Sequence, residues 1–239
     1  MRGAGTRGTG ARGTGARGTG ARDPNVRLRT ARKRSNSSAR WLERQLNDPY
    51  VAEAKRQGWR SRAAFKLLEL DDRFRLLRPG LRVLDLGAAP GGWTQVAVAR
   101  TGGTGRIAGV DIAPMDPIEG AVLLQLDATD PEADAAIAAA LGGPADIVLS
   151  DMAPSTIGHA ATDKLRILAM ADAAYDLGRT VLAPGGAFVC KLFQGGAHAD
   201  LLNRLKRDFA LVRHAKPPAS RKDSAEIYLI ATGFRGGPE

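Results

Sequence analysis

Val83-Leu84-Asp85-Leu86-Gly87-Ala88-Ala89-Pro90-Gly91-Gly92-Trp93 decides the fold. A short apolar run gives way to a glycine-rich bend containing Pro90, and Thr94 to Arg100 then reads as the start of a helix. Strand, tight glycine turn and helix, in that order, is how open α/β sheets build a cradle at the carboxyl ends of their strands. Gly87, Gly91 and Gly92 lack the spacing of the dinucleotide fingerprint, which sets a nicotinamide oxidoreductase aside. Downstream, a carboxylate recurs at each successive strand end: Asp111, Asp127 and Asp151.

Outward from that stretch the pattern alternates. Apolar strands are predicted at 81–86, 106–111, 121–126, 146–151, 186–193, 209–215 and 226–232, and helices at 92–100, 131–141, 164–182 and 198–208. Such alternation predicts an α/β fold with a mostly parallel seven-stranded sheet and helices on both faces. The last strand follows a loop rather than a helix, so it is expected to insert antiparallel. Asp130-Pro131 opens one helix, and Ala183-Pro184-Gly185-Gly186 closes another. Upstream, Ser35-Asn36-Ser37-Ser38 caps a helix starting near Ala39, whose apolar face is Trp41, Leu42, Leu46 and Tyr50, up to Asp48-Pro49. A second stretch, Val51 to Gln57, stops at Gly58; Ala64, Phe65, Leu67, Leu68 and Phe74 then repeat at helical spacing before Pro79-Gly80. Lys55, Arg56, Arg60, Arg62 and Lys66 form a basic cluster with Trp59 and Phe65 interleaved.

The charge is unevenly placed. Of 35 basic and 25 acidic residues in the 239-residue chain, the first 40 positions hold eleven basic and one acidic, leaving 24 of each in a neutral body. Arginine recurs at 2, 7, 12, 17 and 22 among Gly, Thr and Ala, a composition that forms no core, so 1–34 is expected to be a disordered basic arm. It reads either as a flexible RNA-binding arm or as a tolerated low-complexity extension; a transit peptide suits its arginines, but its glycines spoil an amphipathic helix. The rest, 35–235, is expected to form one domain, with 236–239 a short tail. Cys190 alone allows no internal disulfide, His159, His198 and His214 have no metal-ligand spacing, and no membrane span is expected.

Asp111 stands where nucleotide-binding sheets place an acid that accepts hydrogen bonds from ribose hydroxyls. Asp127 is placed to face an adenine amino group, or is a plain loop acid. Lys191 lies in the apolar run Val189-Cys190-Lys191-Leu192-Phe193, where a lysine is costly unless paired or catalytic. Glu226 opens the apolar strand Ile227-Tyr228-Leu229-Ile230. With Lys66 and Asp151, these make four polar residues at the ends of neighbouring elements.

These segments resemble the FtsJ/RrmJ family of ribosomal RNA large-subunit methyltransferases. The resemblance rests on Arg60-Ser61-Arg62-Ala63, Phe65-Lys66-Leu67, the Asp85 to Trp93 stretch, Met115-Asp116-Pro117, Ser150-Asp151-Met152-Ala153-Pro154, Leu182 to Gly186 and Lys191 to Gly195. It implies a Rossmann-like S-adenosylmethionine-dependent methyltransferase fold acting on a ribose 2′-hydroxyl, with a uridine of the peptidyl-transferase A-loop of 23S rRNA as target. It also implies a catalytic tetrad of Lys66, Asp151, Lys191 and Glu226, and cofactor contacts at Gly91, Trp93, Asp111, Asp127 and Asp151, to which Gly87 and Gly92 add the turn. Two departures fall where RNA should lie: Ser155 stands where the family more often has asparagine, and the Ser220 to Ala225 loop has few arginines.

Methyl transfer to a ribose hydroxyl calls for a place to put its proton, and a neutral amine within hydrogen-bond reach serves. Lys191 is the expected proton acceptor; burial and Lys66 favour the neutral form, while Asp151 and Glu226 oppose it. Lys55, Arg56, Arg60, Arg62, Arg221 and Lys222 are expected to meet RNA phosphates. Other readings are a 2′-O-methyltransferase of tRNA or cap ribose, and an assembly factor that binds RNA with its chemistry incidental. A monomer in the bacterial cytoplasm is expected, with the mitochondrial matrix as the alternative compartment.

Overall fold

The computed structural model describes residues 42–43, 45–130, 132–154, 158–195 and 198–236. The repeat arm, the expected cap at Ser35–Ser38, Trp41, Pro131, Ser155 and most of the tail lie outside the described residues. The chain divides between Asn47 and Asp48 into two units. In the first, the described residues from Leu42 to Leu46 are helical, and Asn47 Nδ2 donates to Glu43 O at 2.8 Å.

The second unit opens with α1 (Pro49–Gln57). Asp48-Pro49 starts this helix: the Asp48 side chain accepts from Tyr50 N and proline occupies the first turn, where its missing N–H goes unneeded. Tyr50, expected on the preceding helix, therefore belongs to α1. Then follow α2 (Ala63–Phe74), β1 (Arg82–Leu86), α3 (Gly92–Arg100), β2 (Arg106–Asp111), β3 (Ala121–Gln125), α4 (Ala133–Leu141) and β4 (Ala145–Ser150). The chain continues through α5 (Ala160–Val181), β5 (Leu182–Phe193), α6 (Ala199–Asp208), β6 (Phe209–Ala215) and β7 (Glu226–Phe234).

The seven strands lie in the order β3-β2-β1-β4-β5-β7-β6. The strands β1 to β5 pair in parallel, and β7 is antiparallel to both β5 and β6, as expected of the final strand. Alternation along each strand sends residues to two cores. Leu84, Leu86, Val110 and Val148 pack with Ile137 and Leu141 of α4, Tyr175 of α5 and Leu205 of α6. Val83, Ile107, Leu149 and Ile230 pack with Leu67 and Leu70 of α2 and Val96 of α3. Each fully buried leucine contributes roughly 1.5–3 kcal/mol by leaving water.

Two boundaries differ from expectation, for local reasons. α5 begins at Ala160 rather than 164, because His159 caps it by accepting from Thr162 N. β5 begins at Leu182, which pairs with Ala145; Ala183 to Gly186 then loop out before Ala187 pairs with Ile147. Pro184 has no N–H to offer the ladder and Gly185 takes φ +82°, so the segment expected to follow the helix, which ends at Val181, is also a bulge inside the strand. Among the described residues, no helix is long and apolar enough to cross a membrane.

Sheet order turns back on itself between β1 and β4, since β2 and β3 lie on one side and β4 and β5 on the other. A crevice forms at such a point outside the carboxyl ends of the strands. Because β7 is antiparallel, its first residue, Glu226, lies at that same end, opposite Phe193 near the finish of β5.

Candidate active site

The Gly87 turn is the floor of a cleft. Gly87 adopts φ +73°, and a Cβ there would lie 2.5 Å from Met152 Cγ, so only glycine lets β1 pass this close to the segment after β4. Asp111, the last residue of β2, ties the turn to its own strand: Oδ2 accepts from Ala89 N at 2.9 Å and Oδ1 from Ala113 N at 2.8 Å. The cleft measures about 470 Å³, with Gly87, Asp111, Ile112, Asp127, Asp151 and Met152 among its lining residues. Ile112 is 70% exposed, an apolar side chain left uncovered on the cleft wall.

Four of the expected cofactor positions thus meet in one space: Gly87, Asp111, Asp127 and Asp151. Asp127 arrives from a turn beyond β3, which ends at Gln125, rather than from the strand itself. Its Oδ1 accepts from Thr129 N at 2.9 Å and Thr129 Oγ1 at 2.7 Å, and these bonds hold the carboxyl below its ordinary pKa. Gly91, Gly92 and Trp93 sit apart from the lining, at the start of α3. The Trp93 indole is buried against Tyr228 with ring centroids 5.7 Å apart, and its Nε1 donates to Ala63 O at 2.8 Å. Its ring therefore joins α3 to α2 and β7.

Beneath the turn, Asp85 is fully buried on β1 and accepts from Thr94 Oγ1 at 2.6 Å, while its Oδ1 has no hydrogen-bond partner. Burial pushes this carboxyl up to about 7 against the pull of the Thr94 bond.

Beside the cleft, four elements bring the expected lysines and acids together. Lys66 comes from the first turn of α2, Asp151 from the residue after β4, Lys191 from β5 and Glu226 from the start of β7. Lys191 is 7% exposed; its Nζ lies 3.0 Å from Asp151 Oδ1 and also donates to the Asp151 carbonyl. Lys66 Nζ donates to Glu226 Oε2 at 2.8 Å and stands 3.8 Å from Asp151 Oδ2. Ser220 Oγ donates to Glu226 Oε1 at 2.7 Å, which fixes the carboxylate plane. Burial alone would raise the Asp151 carboxyl, but Lys191, Lys66 and a hydrogen bond from Tyr228 outweigh it and hold Asp151 below its ordinary value. A second recess of about 120 Å³ is lined by Lys191, with Ile167, Phe193, Ser224 and Glu226 also among its walls; Ala153 borders both spaces. Among the described residues, no group of three or more His, Cys, Asp or Glu is arranged to hold a metal ion.

A glycine turn with carboxylates at strand ends, beside a buried lysine–acid cluster, is the arrangement the resemblance implied. Residues 59–234 match the family model of FtsJ-like methyltransferases. The chain belongs to the FtsJ-like methyltransferase family. Its relatives include ribosomal RNA large subunit methyltransferase E of Acidiphilium cryptum, 63% identical over 210 residues that cover 88% of this chain and 92% of that protein. The protein of the same description from Granulibacter bethesdensis is 60% identical over 210 residues, covering 88% and 90% of the two chains. A crystal structure assigned as a ribosomal RNA methyltransferase of Plasmodium falciparum superposes with a TM-score of 0.69 at 32% identity, covering 75% of this chain and all of that one.

In this FtsJ-like methyltransferase, sequence reasoning missed Tyr228. Its hydroxyl accepts from Lys66 Nζ at 3.1 Å and donates to Asp151 Oδ1 at 2.7 Å, linking the two halves of the cluster. Burial, then Asp151 and Glu226, push the phenol well above its ordinary pKa, so it stays a donor. A signal was present: Tyr228 is two residues after Glu226, hence on the same strand face, and it is the register partner of Lys191. Three of the arginines expected to meet RNA also hold contacts within the protein. Arg62 Nε lies 3.0 Å and Arg221 Nη2 3.3 Å from Asp48 Oδ2, and Arg62 also donates to Ala219 O. Arg56 pairs with Glu53. With Ala219 N donating to Glu69 Oε2 at 2.6 Å, the Arg62 and Arg221 contacts anchor the loop that delivers Glu226.

Proposed function

We propose that the chain transfers a methyl group from S-adenosylmethionine to a ribose 2′-hydroxyl of large-subunit ribosomal RNA, with an A-loop uridine as the nucleotide the family resemblance implies. The observation that carries this reading is Lys191 Nζ, held by two oxygens of Asp151, a residue of the cleft wall, while Lys191 itself lines the second recess. The names of the relatives support the RNA class.

The cleft fits the cofactor. Its volume is in the range of small-molecule sites, its walls are largely apolar, and its carboxylates suit the hydroxyl and amino donors of an adenosine and the cation of an amino-acid tail. Asp111 would hold the ribose hydroxyls, Asp127 the adenine amino group and Asp151 the amino-acid end, while Gly87 leaves the room a side chain would fill. When bound, S-adenosylmethionine supplies an electrophilic methyl group on a sulfonium.

The chain's own residues manage the proton. An amine that has given up its third proton keeps two N–H bonds and one lone pair; in that form the two Asp151 oxygens that face Lys191 Nζ would accept both N–H bonds and leave the lone pair for the ribose hydroxyl. In the resting protein Asp151 is a carboxylate, kept ionised by Lys191, Lys66 and the Tyr228 hydroxyl. Glu226 balances the Lys66 charge. Alignment of the acceptor against the cleft contributes alongside proton removal. We propose a monomer acting in the bacterial cytoplasm.

The test is methyl transfer from labelled S-adenosylmethionine to large subunits lacking native modification, beside protein-free 23S RNA and tRNA, with nucleoside mass spectrometry. Label on a uridine ribose in the subunit sample is expected. Label in tRNA alone would overturn the substrate class, and cofactor binding without transfer to any RNA would favour an assembly factor.

A further inference from the structure

We infer that Arg60 is a positioning residue of the cofactor site, a strap that holds the Gly87–Gly92 turn and the loop 112–118 as one rim. The inference rests on the reading that the cleft holds S-adenosylmethionine. The loop leaves β2 after Asp111, runs from Ile112 to Ile118 and contains Pro114 and Pro117, which bring no N–H of their own. It forms neither helix nor strand, so its carbonyls need donors from outside. Arg60 supplies them: Nη1 donates to Asp116 O at 2.7 Å and Nη2 to Pro117 O at 2.7 Å. Nη1 also donates to Pro90 O at 3.3 Å, in the turn before α3.

The strap is anchored at its base and packed along its stem. Arg60 N donates to Gln95 Oε1 at 2.8 Å, and Gln95 Nε2 on α3 returns a bond to Gly58 O at 3.1 Å. Over Gly91, which takes φ +107°, a Cβ would lie 2.6 Å from Ile118 Cδ1 and 3.1 Å from Arg60 Cδ, so Arg60 and Ile118 roof the turn. The far end of the same loop is Ile112, which with Asp111 of β2 lines the cleft wall. All three acceptors of the guanidinium are main-chain carbonyls, and two of them are adjacent in sequence. A planar fork spans such a pair, whereas a lysine ammonium is a point donor. This assigns Arg60 to cofactor affinity, where its sequence context alone suggested an RNA phosphate.

Calorimetry with S-adenosylhomocysteine on the full chain and on Arg60→Ala and Arg60→Lys tests it. Losing charge-assisted bonds at the rim is expected to weaken binding about tenfold or more in Arg60→Ala, with Arg60→Lys recovering little. KM for S-adenosylmethionine should rise in step, while kcat at saturating cofactor, KM for the subunit and the salt slope of RNA binding stay within about twofold of the parent. Unchanged cofactor affinity with weaker RNA binding and a shallower salt slope would overturn the assignment in favour of a phosphate contact. If Arg60→Ala does not fold, Arg60→Lys decides, since it keeps the charge and most of the stem. A parent chain that binds neither S-adenosylmethionine nor S-adenosylhomocysteine would overturn the cofactor reading itself, and the Arg60 assignment with it.

Discussion

The cleft at the ends of β1, β2 and β4 and the lysine–acid cluster beside it are built by opposite means. In the cleft and its rim, polar side chains bond chiefly to main chain: Asp111 to the Ala89 and Ala113 amides, Asp127 to the Thr129 amide as well as its hydroxyl, Arg60 to three carbonyls. In the cluster, side chains bond chiefly to side chains across α2, β5, β7 and the end of β4, with the Lys191 bond to the Asp151 carbonyl as the exception. A network of buried side chains loses more when one member goes, because the others are left unpaired in a low dielectric. Changes in the cleft should therefore weaken cofactor binding, and changes in the cluster should slow turnover.

The largest effect is expected at Lys191. Lys191→Ala should lower the methyl-transfer rate by about 10²–10⁴, the worth of a positioned base, while cofactor affinity measured by calorimetry holds. A folded variant that keeps most of the rate would break the division and the base assignment together.

Next comes Asp85, under the cleft floor. The unfolded chain releases this proton near 3.8, whereas the folded chain keeps it to about 7. Between those values the folded state holds more protons, so raising pH through the window removes stability, on the order of 4 kcal/mol in full. Asp85→Asn should lose that slope, and the difference between variant and parent in urea unfolding should move in the variant's favour from pH 4 to pH 8. A difference that does not change with pH would mean that Asp85 is ionised throughout.

Smaller effects separate the two regions more sharply. Asp111→Ala should weaken S-adenosylmethionine binding roughly ten- to hundredfold through lost bonds to a charged group, with kcat at saturating cofactor retained. Tyr228→Phe removes one O–H from the cluster and should lower kcat about tenfold with KM for cofactor unmoved. If the KM rises instead, the cleft and the cluster act as one unit.

Legibility followed the same division. The Gly87 turn, Asp111 at the end of β2 and every strand of the sheet follow from local signals: apolar runs of strand length, glycines in a bend, acids where runs stop. Where local chemistry was read too narrowly the boundaries moved, as at Asp48-Pro49, which opens α1, and at Pro184-Gly185, which bulges β5. Tyr228 and Arg60 were not assigned their contacts, since a tyrosine in an apolar strand reads as core and an arginine among basic residues reads as a phosphate ligand. What each touches lies 77 residues away at Asp151 and 56 away at Asp116.

By itself, then, the sequence determined the α/β class, the order of the elements and the family, because these depend on periodicity and on motifs a few residues long. Only the tertiary structure decided which polar groups meet. β7 is inserted antiparallel between β5 and β6, and that placement brings Glu226 to the carboxyl end of the sheet and sets Tyr228 opposite Lys191. Such pairings depend on strand order and register, which long-range packing selects, and no local stretch of the chain encodes them.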